Sequence, residues 1–254
     1  MMYGIACYHR PQCKTLGTLL DLGIGKDEIL IAVNCEEDND EYIRRYGKSF
    51  KIIYHKKRNV AGNRNNILEE LHSPCVIFDD DITAFKRYVS DGSRYGHFRK
   101  MTDGEEFRSV ISECFRKAGE QRALIFGVAA SDNTMIARGH SEKGSLYSLN
   151  GNFQGGFCGY LSDNIRHDES YDVLDDYELN LRMLAQGRNI LRRNDIYAEK
   201  GEMGNNEGGC KELYEHGAQQ RCMKRLKSQW GPLFSVIGNA KGIRITCAKV
   251  KGIS

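Results

Sequence analysis

The stretch "NVAGNRNNILEELHSPCVIFDDD", residues 59–81, changes its period halfway along. Ile67, Leu68 and Leu71 fall on one face at helical spacing and predict a helix over 62–72. Pro74 closes that pattern. The four apolar residues 75–78 then read as a buried strand, which runs directly into Asp79, Asp80 and Asp81. A helix feeding a buried strand is one unit of an α/β sheet. In such sheets ligands bind beyond the carboxyl ends of the strands, which is where the three aspartates fall.

The same alternation extends toward the N-terminus. Strands are predicted over 2–8, 27–35 and 50–55, and helices over 14–23 and 39–47, each helix closed by a glycine. Beyond the aspartates, Phe107, Val110, Ile111, Cys114, Phe115 and Ala118 trace an apolar stripe, and Thr102 with Glu105 forms a capping box, so a helix is expected over 102–121. A strand follows over 122–131, a polar glycine-rich loop over 132–156 and a strand over 156–162. A helix over 171–187 turns Tyr177, Leu181 and Leu184 inward, pairs Glu178 with Arg182 and ends at Gly187. The fold class is α/β, with a mostly parallel central sheet flanked by helices.

With 254 residues and 40% hydrophobic content the chain can bury one large core, and only three prolines interrupt it. Its apolar runs are far shorter than the roughly 20 residues of a membrane helix. The start, "MMYGIACYHRPQ", lacks the pattern of a secretory signal. Nine cysteines form no CxxC pair, so free buried thiols in a reducing cytoplasm are expected. Residues 211–254 hold nine Lys or Arg against two Glu, a net of +7, which leaves −4 of the total +3 to residues 1–210. A basic segment suits a polyanionic partner. It contains Lys224, Arg225, Lys227 and the only tryptophan, Trp230.

Adjacent carboxylates repel unless a cation joins them. Side chains alternate along an extended strand, so Asp79 and Asp81 share a side and Asp80 takes the other. A D-x-D of this kind can hold Mg²⁺ or Mn²⁺ together with phosphate oxygens. It is equally consistent with an acidic strand end. Asp175 and Asp176 at a helix start suit the helix dipole as well as catalysis.

Two segments together resemble a known family. "NVAGNRNNILEELHSPCVIFDDDI" (59–82) looks like the nucleotide-sugar segment of GT-A glycosyltransferases, and "LDDYELNLRMLAQG" (174–187) looks like their second acidic signature. "YGIACYHRP" (3–11) resembles their first strand and uridine-proximal loop. The resemblance implies a single GT-A, Rossmann-like domain over 1–254. Residues 1–100 would be a nucleotide-sugar half, 101–210 an acceptor half and 211–254 a basic C-terminal segment. It implies metal binding by Asp79 and Asp81, with Asp80 near the ribose, Arg64 near the diphosphate and Tyr8 and Arg10 near the base. Asn59, Gly155 and Gly156 would also border the donor. Asp176 would be the catalytic base of an inverting transfer from a UDP-sugar, with Asp175 its acidic neighbour. The signature departs from the family's usual Glu-Asp. The family's third metal ligand, a late histidine, would be His216 or His167. The segment "EKGEMGNNEGGC" (199–210) would be a lid or an ordinary loop.

By size and by its basic segment the chain also resembles the small glycosyltransferases associated with TET/JBP oxygenases, found in bacteriophages and kinetoplastids. This implies transfer to the hydroxyl of a 5-hydroxymethylpyrimidine in DNA, a base that must first leave the stack. Alternatives are a soluble glycan or protein acceptor and a non-catalytic nucleic-acid-binding protein. A sugar-nucleotide nucleotidylyltransferase would want a GxGxR-type loop after the first strand, and "YHRPQCKTLG" (8–17) lacks it.

Overall fold

The computed structural model describes residues 1–10, 12–54, 59–93, 95–150, 155–200 and 209–231, together with the backbone of 234–239 and 242–247. Strands β1 (Met2–Ala6), β2 (Ile29–Val33), β3 (Lys51–Tyr54) and β4 (Cys75–Asp79) pair in parallel in the order β3-β2-β1-β4. Helices α1 (Lys14–Asp21), α2 (Glu36–Tyr46) and α3 (Val60–Leu71) connect them. This half follows the predicted alternation within a few residues at each end.

Next in the chain are β5 (Ile82–Val89), β6 (His97–Lys100), α4 (Gly104–Glu120), β7 (Ala123–Ala129), α5 (Thr134–Glu142) and β8 (Tyr147–Leu149). After them come β9 (Phe157–Tyr160), α6 (Asp175–Ala185) and β10 (Asn189–Lys200). All ten strands join one sheet in the order β3-β2-β1-β4-β9-β7-β10-β5-β6, with β8 also on β10. Strands β9, β5 and β8 run against the other seven, so the sheet is mostly parallel.

Alternation of side chains across the sheet sorts the core into two layers. Tyr3, Ile5, Ile29, Ile31, Val76 and Phe78 face α1 and α4, meeting Leu16, Leu19, Phe107 and Ile111. Leu30, Ala32, Cys75 and Ile77 face the other way onto Ile67 and Leu68 of α3 and Leu179 and Met183 of α6. The eight described cysteines are free, and six of them are buried.

The C-terminal part holds α7 (Lys211–Glu215), α8 (Ala218–Trp230) and a separate antiparallel hairpin of β11 (Phe234–Asn239) and β12 (Gly242–Cys247). Ala218, Cys222 and Leu226 of α8 pack on Tyr171, Val173 and Leu181 in a third cluster. No helix among the described residues is long and apolar enough to cross a membrane.

Three expectations are corrected. Residues 132–156 are not all loop: α5 and β8 lie there, with the Asn133 side chain accepting from the Met135 and Ile136 N–H groups at 3.0 and 3.3 Å. The cap of α4 is Asp103, which accepts from Glu105 N at 2.9 Å, in place of Thr102. Patterning assigns no element to 82–100 or 188–200, yet β5, β6 and β10 occupy them. In β10 the buried Arg193 pairs with Asp195 at 2.8 Å and Glu113 at 2.7 Å, so charges replace apolar residues in a strand interior and hide its period.

Candidate functional site

The site lies where β4 ends. Thr15, at the start of α1, holds the turn that follows. Its Oγ1 donates to the Asp79 carbonyl at 2.5 Å and accepts from Ile82 N at 2.9 Å, while its own N–H donates to the Asp80 carbonyl at 3.2 Å. The three aspartates fan out from this turn, each against a cation supplied by the chain. Asp79 accepts from Arg64 Nη2 at 2.6 Å and from Lys200 Nζ at 2.5 Å. Asp80 turns back to the loop after β1, accepting from Tyr8 N at 3.2 Å and pairing with Arg10 Nη1 at 2.9 Å. Asp81 lies 3.2 Å from Arg10 Nη1 and 3.9 Å from Lys200 Nζ. The repulsion within the triple aspartate is answered by three basic side chains from three distant segments.

Helix α3 carries an unusual buried run, Asn63, Arg64, Asn65 and Asn66. Each described contact of this run ties two segments together. Asn63 donates to the Cys7 carbonyl at 2.6 Å. Asn65 donates to the His167 carbonyl at 3.0 Å and accepts from His167 N at 2.7 Å. Arg64, 4% exposed, spans from Asp79 to Asp175 Oδ2, the latter also at 2.6 Å. Arg64, expected near a diphosphate, has two of its nitrogens in ion pairs with carboxylates here.

Asp175 and Asp176 open α6 behind Leu174, whose φ of +64° places a leucine in the left-handed region. Such a residue costs of order 1–3 kcal/mol and persists where surrounding contacts force it. Asp175 lies 2.7 Å from His167 Nδ1, and His167 Nε2 lies 2.8 Å from the Tyr160 hydroxyl. Among the described residues Asp176 has no ion pair of this kind; its Oδ1 accepts from Tyr177 N at 2.9 Å.

These surroundings split the pair. Burial alone would raise Asp175, but Arg64 and His167 outweigh it and hold the carboxyl below its ordinary range. Burial, then the charge of Asp175, pushes Asp176 up to about 6. Asp79 is held low by Lys200 and Arg64 against the opposing effect of burial. Burial pushes Asp80 up to about 7 even with Arg10 beside it. Burial lowers the pKa of His167 against the opposing pull of Asp175.

Gly155 and Gly156 bring the two acidic groups together. A Cβ on Gly155 would lie 2.2 Å from Asp176 Oδ2. One on Gly156 would lie 2.1 Å from Lys200 Nζ and 2.5 Å from Asp79 Oδ2. Consecutive Cα atoms are ~3.8 Å apart, so Asp176 and Asp79 flank the same short piece of chain. Gly155→Ala is expected to push the Asp176 carboxylate aside and to lower turnover by about 10²-fold, because ~1 Å of misplacement costs that much. Thermal unfolding of the variant, measured beside its turnover, separates this displacement from general loss of fold.

Other expected residues are placed elsewhere. Asn59 caps α3 through Gly62 N at 3.1 Å and donates to the Glu169 and Tyr171 carbonyls at 2.8 and 3.0 Å. His216 is exposed at the end of α7. Among the described residues, three ligand-type side chains come within 4.8 Å of one another only at His9, Cys35 and Asp38, so neither His216 nor His167 completes a metal set with Asp79 and Asp81. The arrangement of Asp79 and Asp81 also does not fit a divalent cation, since both Asp79 oxygens are in ion pairs and Lys200 Nζ stands between the carboxylates.

On α8, Lys224 and Lys227 are exposed. Arg225, also exposed, stacks 4.6 Å from the Tyr171 ring and donates to the Ser170 carbonyl at 3.1 Å, and Trp230 is half-buried in the third cluster. Of the 199–210 segment, residues 201–208 lie outside the described residues. Its flanks reach the site: Lys200 meets Asp79, and Gly209 N donates to the Tyr8 carbonyl at 3.0 Å.

Sequence reading did not single out Lys200, Tyr160 or the role of His167. Lys200 did carry one signal, a lysine at the edge of a glycine-rich segment, a pairing that suits phosphate binding.

No protein-family model matches the sequence, and no curated protein matches it. Among solved structures, the chain is similar to CMP:2-keto-3-deoxy-manno-octonic acid synthetase complexed with CTP. The two share 10% identity, over 88% of this chain and 98% of that one, with a TM-score of 0.45.

Proposed function

We propose that the chain is a glycosyltransferase that moves a sugar from a nucleotide sugar, of the UDP-linked kind, to an acceptor hydroxyl with inversion. The observation that carries this reading is the split between Asp175 and Asp176. One carboxylate is fixed by Arg64 and His167, and its neighbour, with a pKa pushed up to about 6, has no ion pair among the described residues. Two like groups driven apart in this way form an orienting group and a general base.

In the proposed reaction Asp176 takes the proton of the acceptor hydroxyl as its oxygen forms a bond to C1 of the sugar. The bond from C1 to the donor phosphate breaks, and its electron pair leaves with the nucleoside diphosphate. Arg10 and Lys200, on the rim beside the aspartates, supply positive charge toward that leaving group. Arg64 touches no reactant and keeps Asp79 and Asp175 in place.

For the acceptor we propose a 5-hydroxymethylpyrimidine in DNA. Exposed Lys224 and Lys227 lie on α8, which packs on Tyr171 and Val173, the residues leading into the acidic pair. Duplex DNA containing 5-hydroxymethylcytosine, incubated with a mixture of nucleotide sugars, is expected to gain a sugar by nucleoside mass spectrometry. UDP release without a DNA product points to a glycan or protein acceptor. Pyrophosphate release from a nucleoside triphosphate and a free sugar acid overturns transfer altogether. Replacing Lys224 and Lys227 by Gln is expected to reduce the salt slope of DNA binding by about 2.

The base sets the pH dependence. Asp176 works deprotonated, so kcat/KM is expected to rise about tenfold per pH unit below 6 and to level off above it. A profile flat from pH 5 to 8 removes Asp176 as the base.

A further inference from the structure

Strand β10 ends on an irregularity. Its register against β5 shifts between Glu199 and Lys200, and such shifts re-aim side chains beside functional sites. Glu199 accepts from Lys86 on the neighbouring strand. Lys200, one residue on, turns into the cleft instead. Its Nζ donates to Asp79 Oδ2 at 2.5 Å and lies 3.9 Å from Asp81 Oδ1. That Asp81 oxygen is buried and has no hydrogen bond among the described residues. Gly156 leaves the room: a Cβ there would lie 2.1 Å from the ammonium.

We infer that Lys200 is the cation of this site, standing between Asp79 and Asp81 where a divalent metal would otherwise bridge them, and that it binds the diphosphate of the donor without metal. The inference rests on the nucleotide-sugar reading above for the identity of the anion. An ammonium carries three N–H donors. One is given to Asp79, and the side chain, 24% exposed, can offer another to a phosphate oxygen. Arg10, held by Asp80 and Asp81, supplies a second positive charge on the same rim. A metal at this point would have to expel Lys200 from a carboxylate it already contacts. The reaction balances as before: Asp176 takes the acceptor proton, and the electron pair of the broken C1–O bond stays on the diphosphate, whose charge the ammonium offsets without giving up a proton.

The test is calorimetric titration of the full chain with UDP, in chelator and in Mn²⁺, beside titration with Mn²⁺ alone. Wild-type protein is expected to bind UDP with an affinity that changes less than twofold between the two buffers, and to bind no Mn²⁺ in the absence of nucleotide. Lys200→Met is expected to bind UDP at least tenfold more weakly in chelator and to regain affinity with Mn²⁺, because Asp79 and Asp81 are then open to the metal. Lys200→Arg keeps the charge and is expected to retain metal-free binding, which separates loss of the cation from loss of fold. Wild-type binding of UDP that requires Mn²⁺ overturns the inference. If UDP binds in neither buffer, the donor reading fails and the diphosphate role of Lys200 fails with it. Mn²⁺ alone then decides the placement of the ammonium: uptake by Lys200→Met only sustains it, and equal uptake by wild type overturns it.

Discussion

Asp176→Asn is expected to lower kcat by about 10²- to 10⁴-fold, the range a positioned general base contributes, while leaving the affinity for nucleotide unchanged. The amide keeps the size of the side chain and can still accept from Tyr177 N, so α6 keeps its first turn. What it loses is the basic carboxylate that takes the acceptor proton. The split between kcat and binding is the decisive reading. A mutation that only loosened the cleft would weaken nucleotide binding as well, whereas loss of a base acts on the transition state alone. The pH profile gives a second check, since the rise through about 6 should vanish with the carboxylate. Retained turnover with a retained pH limb excludes Asp176 and directs attention to another group.

Arg64→Met is expected to cost about 3–5 kcal/mol of stability, because it strands Asp79 and Asp175 in a crowded site with a partner removed from each. Urea unfolding at pH 7 measures this directly. The sign of its pH dependence follows from the pairing. Both carboxyls sit below their ordinary value in the folded protein. Their contribution is therefore fully present above about pH 4, the unfolded value, and is lost as pH falls through the lower folded values. In Arg64→Met the stranded carboxyls take up protons more readily. The deficit relative to wild type should shrink between pH 7 and pH 4. A deficit that stays constant or grows on acidification refutes the double ion pair. Arg64→Lys is expected to recover only part of the loss, since a compact ammonium lacks the two separate nitrogens with which Arg64 reaches Asp79 and Asp175.

The first half of the fold was legible because its elements obey a single local period. The residues of β1, β2 and β4 alternate cleanly between the two core layers, and helices α1 and α3 carry their leucines and isoleucines at helical spacing. The three aspartates and the Asp175–Asp176 pair were legible for a related reason: adjacent like charges stand out in any chain. Their partners did not stand out. Lys200 meets Asp79 across 121 residues and Arg64 meets Asp175 across 111, and no window of sequence contains both members. Asn59 carries a local role of the kind a sequence can show, the cap of α3. Trp230 and Arg225 lie in a basic segment, yet they pack against Tyr171 and its neighbours, a use that composition does not reveal. Strand β10 was hidden because the buried Arg193 and Asp195 satisfy each other and break its apolar pattern.

Those long separations also govern when the site comes into being. Asn65 meets His167 across 102 residues, so the contacts that bring in Lys200, His167 and Asp175 join the first third of the chain to its later part. Closing such loops is slow and occurs late in folding. A nascent chain ending near residue 150 would display Asp79 with Arg64 beside it and neither Lys200 nor Asp175 to complete the set. Turnover should therefore appear only when β10 and α6 have docked, which makes activity a timer for the last step of folding.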